Sequence, residues 1–159
     1  LSYVYLILPI LIIYYPLYLR FPVQIEEIKK SLNYIEQKAQ PDDTIYVSPR
    51  AKNAFAFYQE TNMTNINNAI TIGSNYRNEM HKYDSELSYL KGKVWLLFSL
   101  SVSRNPEKKD INIVEKYEKY VVDRLLSNGA RLLDVKKYQG TSVYYVDTMN
   151  TVSRQNLQQ

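Results

Sequence analysis

Ser48, Pro49 and Arg50 follow a short run rich in β-branched residues, and Ser99, Ser101, Ser103 and Arg104 follow a second, longer apolar run. Hydroxyls beside a guanidinium can hold a phosphate, a carboxylate or a sugar. Both sets come after a predicted strand, where open α/β sheets bind their ligands and helix N-termini offer free N–H groups to anions. Ser48, Arg50, Ser99 and Arg104 are therefore the candidate ligand-binding residues. The plainer reading makes Ser48 the cap of the next helix, with Pro49 at its first position, and makes the later serines ordinary loop residues. No Gly-rich loop accompanies Arg50, which limits how closely backbone could approach an anion.

Other chemistry is sparse. The chain has no cysteine and one histidine, which excludes disulfides, thiolate catalysis and Cys-ligated metals and leaves no multi-histidine zinc site. His81 near a helix start could act as a general base only with a carboxylate to orient it, and reads as a surface residue. Asp42 and Asp43 are adjacent before a strand, so their side chains diverge, and Pro41-Asp42-Asp43 is turn chemistry rather than a catalytic pair. No nucleophile elbow, phosphate-binding loop, dinucleotide fingerprint or metal motif is present. The expectation is no catalytic residue, no metal and no cofactor in this chain. Lys and Arg total 20 against 16 Asp and Glu, but the charges are interspersed and no basic run forms, so nucleic acid is not an expected partner.

These residues need elements to position them. The run Tyr3 to Leu19 has no charge, and at ~1.5 Å per residue it spans about 26 Å, near the hydrocarbon thickness of a bilayer. Residues 1–20 are expected to form a membrane helix in contact with the lipid bilayer. Pro9 and Pro16 imply neighbouring helices that re-satisfy freed backbone groups, and Tyr14, Tyr15, Tyr18 and Arg20 suit the water boundary. Residues 21–147 read as one domain and 148–159 as a polar disordered tail.

Within the domain, Ile25, Ile28, Leu32 and Ile35 mark an amphipathic helix between Val23 and Ala39, and Thr44–Val47 a strand. Ala51, Ala54, Phe55 and Tyr58 mark a second helix. Ala69–Ile72 is a short strand closed by Gly73, and Met80, Tyr83, Leu87 and Leu90 give a third helical stripe. Val94–Phe98 is apolar on both faces, which predicts a mid-sheet strand parallel to its neighbours. Asn105-Pro106 starts the longest helix, with Ile111, Val114, Tyr117, Val121 and Leu125 as its stripe and Gly129 as its stop. Arg131–Tyr138 and Thr141–Asp147 flank Gln139-Gly140 as a hairpin. The fold class is α/β: one membrane helix, then a small three-layer α/β domain with a mostly parallel sheet and a C-terminal β-hairpin.

The segments PDDTIYVSPRAKNAFAFY, TIGSNYR, LKGKVWLLFS and TSVYYVD, after a terminal membrane helix, resemble the C-terminal part of bacterial polytopic GT-C glycosyltransferases, the superfamily of protein mannosyltransferases and lipid A arabinosyltransferases. Ala51, Ala54, Phe55 and Tyr58 match the helix motif of that family, and Val94, Trp95, Phe98 and Ser99 match its V-W strand. Leu100 stands where the family carries a histidine. The resemblance implies an enzyme of the bacterial inner or plasma membrane that transfers a sugar from a polyprenyl-phosphate donor to a lipid, glycan or protein acceptor. It further implies that the catalytic acidic residues lie in upstream loops, that the upstream membrane part is the partner of this domain, and that the domain is extracytoplasmic. The alternative from the residues alone is a single-span, membrane-anchored ligand-binding or sensor module. A third is an intracellular α/β protein whose apolar run is a core helix.

Overall fold

A computed structural model describes residues 27–75, 79–99 and 110–148, with side chains from 116 onward in the last stretch. The expected membrane helix at residues 1–20, Arg104 and most of the polar tail lie outside them. No helix among the described residues is long and apolar enough to cross a membrane.

The element order is α1 (Ile28–Lys38), β1 (Thr44–Val47), α2 (Lys52–Glu60), β2 (Ala69–Ile72), α3 (Lys82–Ser88), β3 (Lys93–Ser99), α4 (Asp110–Ser127), β4 (Arg131–Tyr138) and β5 (Thr141–Asp147). The five strands form one sheet in the order β2-β1-β3-β5-β4. From β1 the chain moves outward to β2 and then returns across β1 to β3. Right-handed crossovers in opposite directions send α2 to one face and α3 to the other. One layer accordingly joins Ile28, Leu32 and Ile35 of α1 and Phe55 of α2 to Ile45, Val47, Trp95, Leu97 and Val143. The opposite layer joins Tyr83 and Leu87 of α3 and Tyr117, Val121 and Leu125 of α4 to Tyr46, Val94, Leu96, Phe98 and Val146.

The expectation of a mostly parallel sheet is corrected. β1 runs parallel to β2 and β3 over four residue pairs each. β5 runs antiparallel to β3 and to β4 over seven pairs each, so most paired residues are antiparallel. Apolarity on both faces of β3 correctly marks a central strand, but it reports burial and not the direction of the neighbours. The hairpin folds back so that its second strand, not its first, meets β3. Burial explains the choice: β5 is buried at five of seven positions, while β4 is largely exposed and carries Arg131, Asp134, Lys136 and Lys137.

Two smaller differences concern ends. Ser48 does not cap α2, because a turn through Pro49 and Arg50 intervenes, closed by Ala51 N–H to the Ser48 carbonyl at 2.9 Å, and α2 starts at Lys52 without a side-chain cap. Thr148, expected in the tail, is buried, and its hydroxyl donates to the Gly92 and Leu90 carbonyls at 3.0 and 3.2 Å.

Candidate functional site at the carboxyl ends of β1 and β3

The reversal of direction between β1→β2 and β2→β3 makes the carboxyl ends of β1 and β3 a topological switch point, where α/β sheets open a crevice. Two of the four candidate residues lie at these strand ends, where alternation sends their side chains to opposite faces of the sheet. Ser48 N–H donates to the Leu97 carbonyl at 2.9 Å, continuing the β1–β3 ladder one residue past Val47, and Ser99 closes β3 opposite Thr141. Both serines are 2% exposed. Arg50 sits half-buried in the turn that follows. Among the described residues no carboxylate pairs with its guanidinium.

Hydroxyls concentrate at this end of the sheet. Ser31 of α1 and Thr141 of β5 share a hydrogen bond of 2.6 Å, which ties the helix to the hairpin. Ser142, paired in register with Phe98, and Ser48 both have buried hydroxyl oxygens without a protein partner. A buried polar atom left unpaired costs about 1–3 kcal/mol and calls for an explanation such as a water or a ligand group. The arrangement can therefore offer hydroxyls to a small polar group. Among the described residues it contains no base, no paired carboxylates and no activated nucleophile. Among the described residues no group of three or more His, Cys, Asp or Glu side chains gathers to hold a metal.

The sign of one substitution separates a cap from an unpartnered hydroxyl. Ser48→Ala would lose about 1 kcal/mol if Ser48 capped α2. With its hydroxyl buried and unpaired, the same change is expected to leave stability unchanged or raise it by about 1 kcal/mol. The midpoint of urea unfolding measures the difference.

Asp43 plays a part that turn chemistry alone does not reveal. It is 2% exposed, whereas Asp42 is on the surface, so the two carboxylates do diverge. Asp43 Oδ2 accepts Trp95 Nε1–H at 2.9 Å and the Gln40 N–H at 2.9 Å, and Oδ1 accepts the Tyr145 hydroxyl at 3.2 Å. Trp95 stacks on Tyr145 with centroids 4.1 Å apart. Burial, reinforced by the Asp43 charge, pushes the Tyr145 hydroxyl up to about 12. The turn before β1, the middle of β3 and the end of β5 are thereby fixed to one another beneath α1.

On the other face Tyr46 donates to Glu86 Oε1 at 2.6 Å and lies 2.8 Å from the Tyr117 hydroxyl, while Ser74 N–H contacts both Glu86 oxygens at 3.0 and 3.2 Å. Burial raises the pKa of Tyr46 and of Tyr117 above the ordinary phenol value. His81 is exposed beside α3, in keeping with a surface role. A groove of about 530 Å³ lined by Met80, Lys116, Tyr120 and Arg124, and one of about 320 Å³ by Glu118, Lys137 and Tyr144, open beside α4. Neither includes Ser48, Arg50 or Ser99.

No family model and no curated protein matches the chain. Among solved structures the 16S rRNA methylase ArmA is similar at 10% identity and a TM-score of 0.34, over 76% of this chain and 81% of that one. At that TM-score the likeness gives the present chain neither a fold family nor an activity.

Proposed function

We propose that residues 21–147 are the C-terminal, extracytoplasmic and non-catalytic domain of an integral-membrane glycosyltransferase of the GT-C class. In this reading the upstream membrane part of the same protein moves a sugar from a polyprenyl-phosphate donor to a lipid, glycan or protein acceptor. The domain covers the active-site face or assists acceptor binding, and the bilayer and the upstream spans are its partners.

The observation that carries the reading is the way the resembling segments fit together. PDDTIYV is a turn followed by β1, KVWLLFS is the parallel strand β3 beside it, and the Asp43 carboxylate just before β1 holds the Trp95 indole of β3. The motif positions thus act as one structural unit rather than as scattered matches.

The coding sequence upstream of Leu1 tests the proposal. A series of further membrane spans and an acidic pair in the first external loop are expected; a reading frame that starts shortly before Leu1 would end it and favour the single-span ligand-binding module. The buried, unpartnered Ser48 hydroxyl at the switch point is what supports that second reading. Protease accessibility in right-side-out and inverted vesicles would check the placement separately. Cleavage is expected only when the outer face is exposed.

A further inference from the structure

The two edges of the sheet are built differently. β4 carries Arg131, Asp134, Lys136 and Lys137 and a bulge between Leu132 and Asp134, devices that discourage pairing with another chain. β2 has none of them: Ala69-Ile70-Thr71-Ile72 is free of charge and proline and pairs with β1 in unbroken register. Ile70 and Ile72 are in register with Ile45 and Val47, yet they are 41% and 38% exposed, so the helices that cover β1 leave them open. The sequence has no charged residue from Thr61 to Tyr76.

We infer that β2 is a self-association edge that pairs antiparallel with β2 of a second copy, across a two-fold axis beside Thr71. Two features select a second copy as the occupant. Ile70-Thr71-Ile72 reads the same in both directions, so a two-fold there opposes Thr71 to Thr71 and Ile70 to Ile72. Both are favoured cross-strand pairs, and both isoleucine pairs lie on the uncovered face. Electrostatics add the second: a chain of net charge +4 repels its own copy wherever like charges meet, and along this stretch none do. A ladder this short falls below the area of a stable interface, so the dimer is weak and depends on concentration.

The lack of cysteine makes the register directly readable. Directly opposed residues place Cα atoms about 4.5–5.5 Å apart, within disulfide reach, whereas diagonal neighbours at about 7–8 Å fall outside it. The full chain, concentrated in detergent micelles and oxidised with copper phenanthroline, would carry a single cysteine at each of four positions. Thr71→Cys is expected to give a disulfide dimer. Ile70→Cys alone and Ile72→Cys alone should give at least about fivefold less, and an equimolar mixture of those two should restore it. Val135→Cys, exposed on β4, sets the background. The inference is overturned if Thr71→Cys does not exceed that background. It is equally overturned if Ile70→Cys alone cross-links as well as the mixture, which would mean a parallel or shifted contact or an association driven by the apolar N-terminal run.

Discussion

Asp43→Ala is expected to destabilise the protein by about 2–3 kcal/mol, because it strands the buried indole N–H of Trp95. Trp95 is 1% exposed and its Nε1–H has Asp43 Oδ2 as acceptor at 2.9 Å. The Gln40 N–H and the Tyr145 hydroxyl lose their acceptor at the same time, but both lie nearer the surface and recover part of the loss from solvent. Asp43→Asn should cost less, since its amide oxygen can still accept from Trp95 and Gln40 while its NH2 donates to the Tyr145 hydroxyl, which accepts as well as donates. Trp95→Phe removes the donor while retaining an aromatic ring against Tyr145. In the Asp43→Ala, Trp95→Phe double variant the two losses should fall short of their sum by about 1 kcal/mol or more. Urea unfolding followed by circular dichroism gives the values for all four variants. A single-variant loss below about 1 kcal/mol for Asp43→Ala would show that the carboxylate is not the tie between the strands.

Asp43 also shows how far the sequence can be read. Its turn character was legible because Pro and paired Asp before a β-branched run have few other uses. Its acceptor role was not, since the indole it holds lies 52 residues away and nothing local marks the pair. The same division runs through the fold. The strands and the helical stripes followed from apolar spacing, and strong hydrophobic contrast placed β3 at the centre. Strand order did not follow, because Gln139-Gly140 predicts a hairpin without saying which arm turns inward. A usable signal was present: Thr141–Asp147 has one charge in seven residues, and Arg131–Tyr138 has four in eight. A strand buried on both sides cannot accommodate the second composition.

At the candidate site, position was legible and partnering was not. Ser48 and Ser99 lie at the carboxyl ends of β1 and β3, but alternation turns their side chains to opposite faces of the sheet, which spacing along the chain did not show. Ser48 looked like a helix cap because Ser-Pro before an amphipathic run has that form. The turn through Pro49 and Arg50 displaces the helix start, and the hydroxyl stays buried beside the β1–β3 ladder. Ser31 and Thr141 could not have been paired from sequence at all. They are 110 positions apart and meet only because α1 lies across the hairpin.

Gly73→Ala should cost about 3 kcal/mol, the upper end for forcing volume into a packed interior. A Cβ at Gly73 would fall 2.8 Å from Tyr46 Cζ, nearer still to the Tyr46 hydroxyl, and 3.2 Å from Glu86 Oε1. The phenol cannot swing aside, because it is fully buried and held by Glu86 on one side and Tyr117 on the other. The glycine cannot retreat easily either, since its N–H closes β2 onto the Val47 carbonyl at 2.9 Å. Tyr46→Phe alone should cost about 1–2 kcal/mol through the partners it leaves behind. In the Gly73→Ala background the same change deletes the nearest obstructing atom, so the double variant should be more stable than the sum of the single losses predicts by at least about 1 kcal/mol. Thermal or urea midpoints of the four proteins decide this, and simple additivity would show that Gly73 is required for a reason other than the phenol beside it. The clash also reaches the sheet edge. If β2 moves to relieve it, Thr71→Cys should cross-link less in the Gly73→Ala protein, and adding Tyr46→Phe should restore part of the yield.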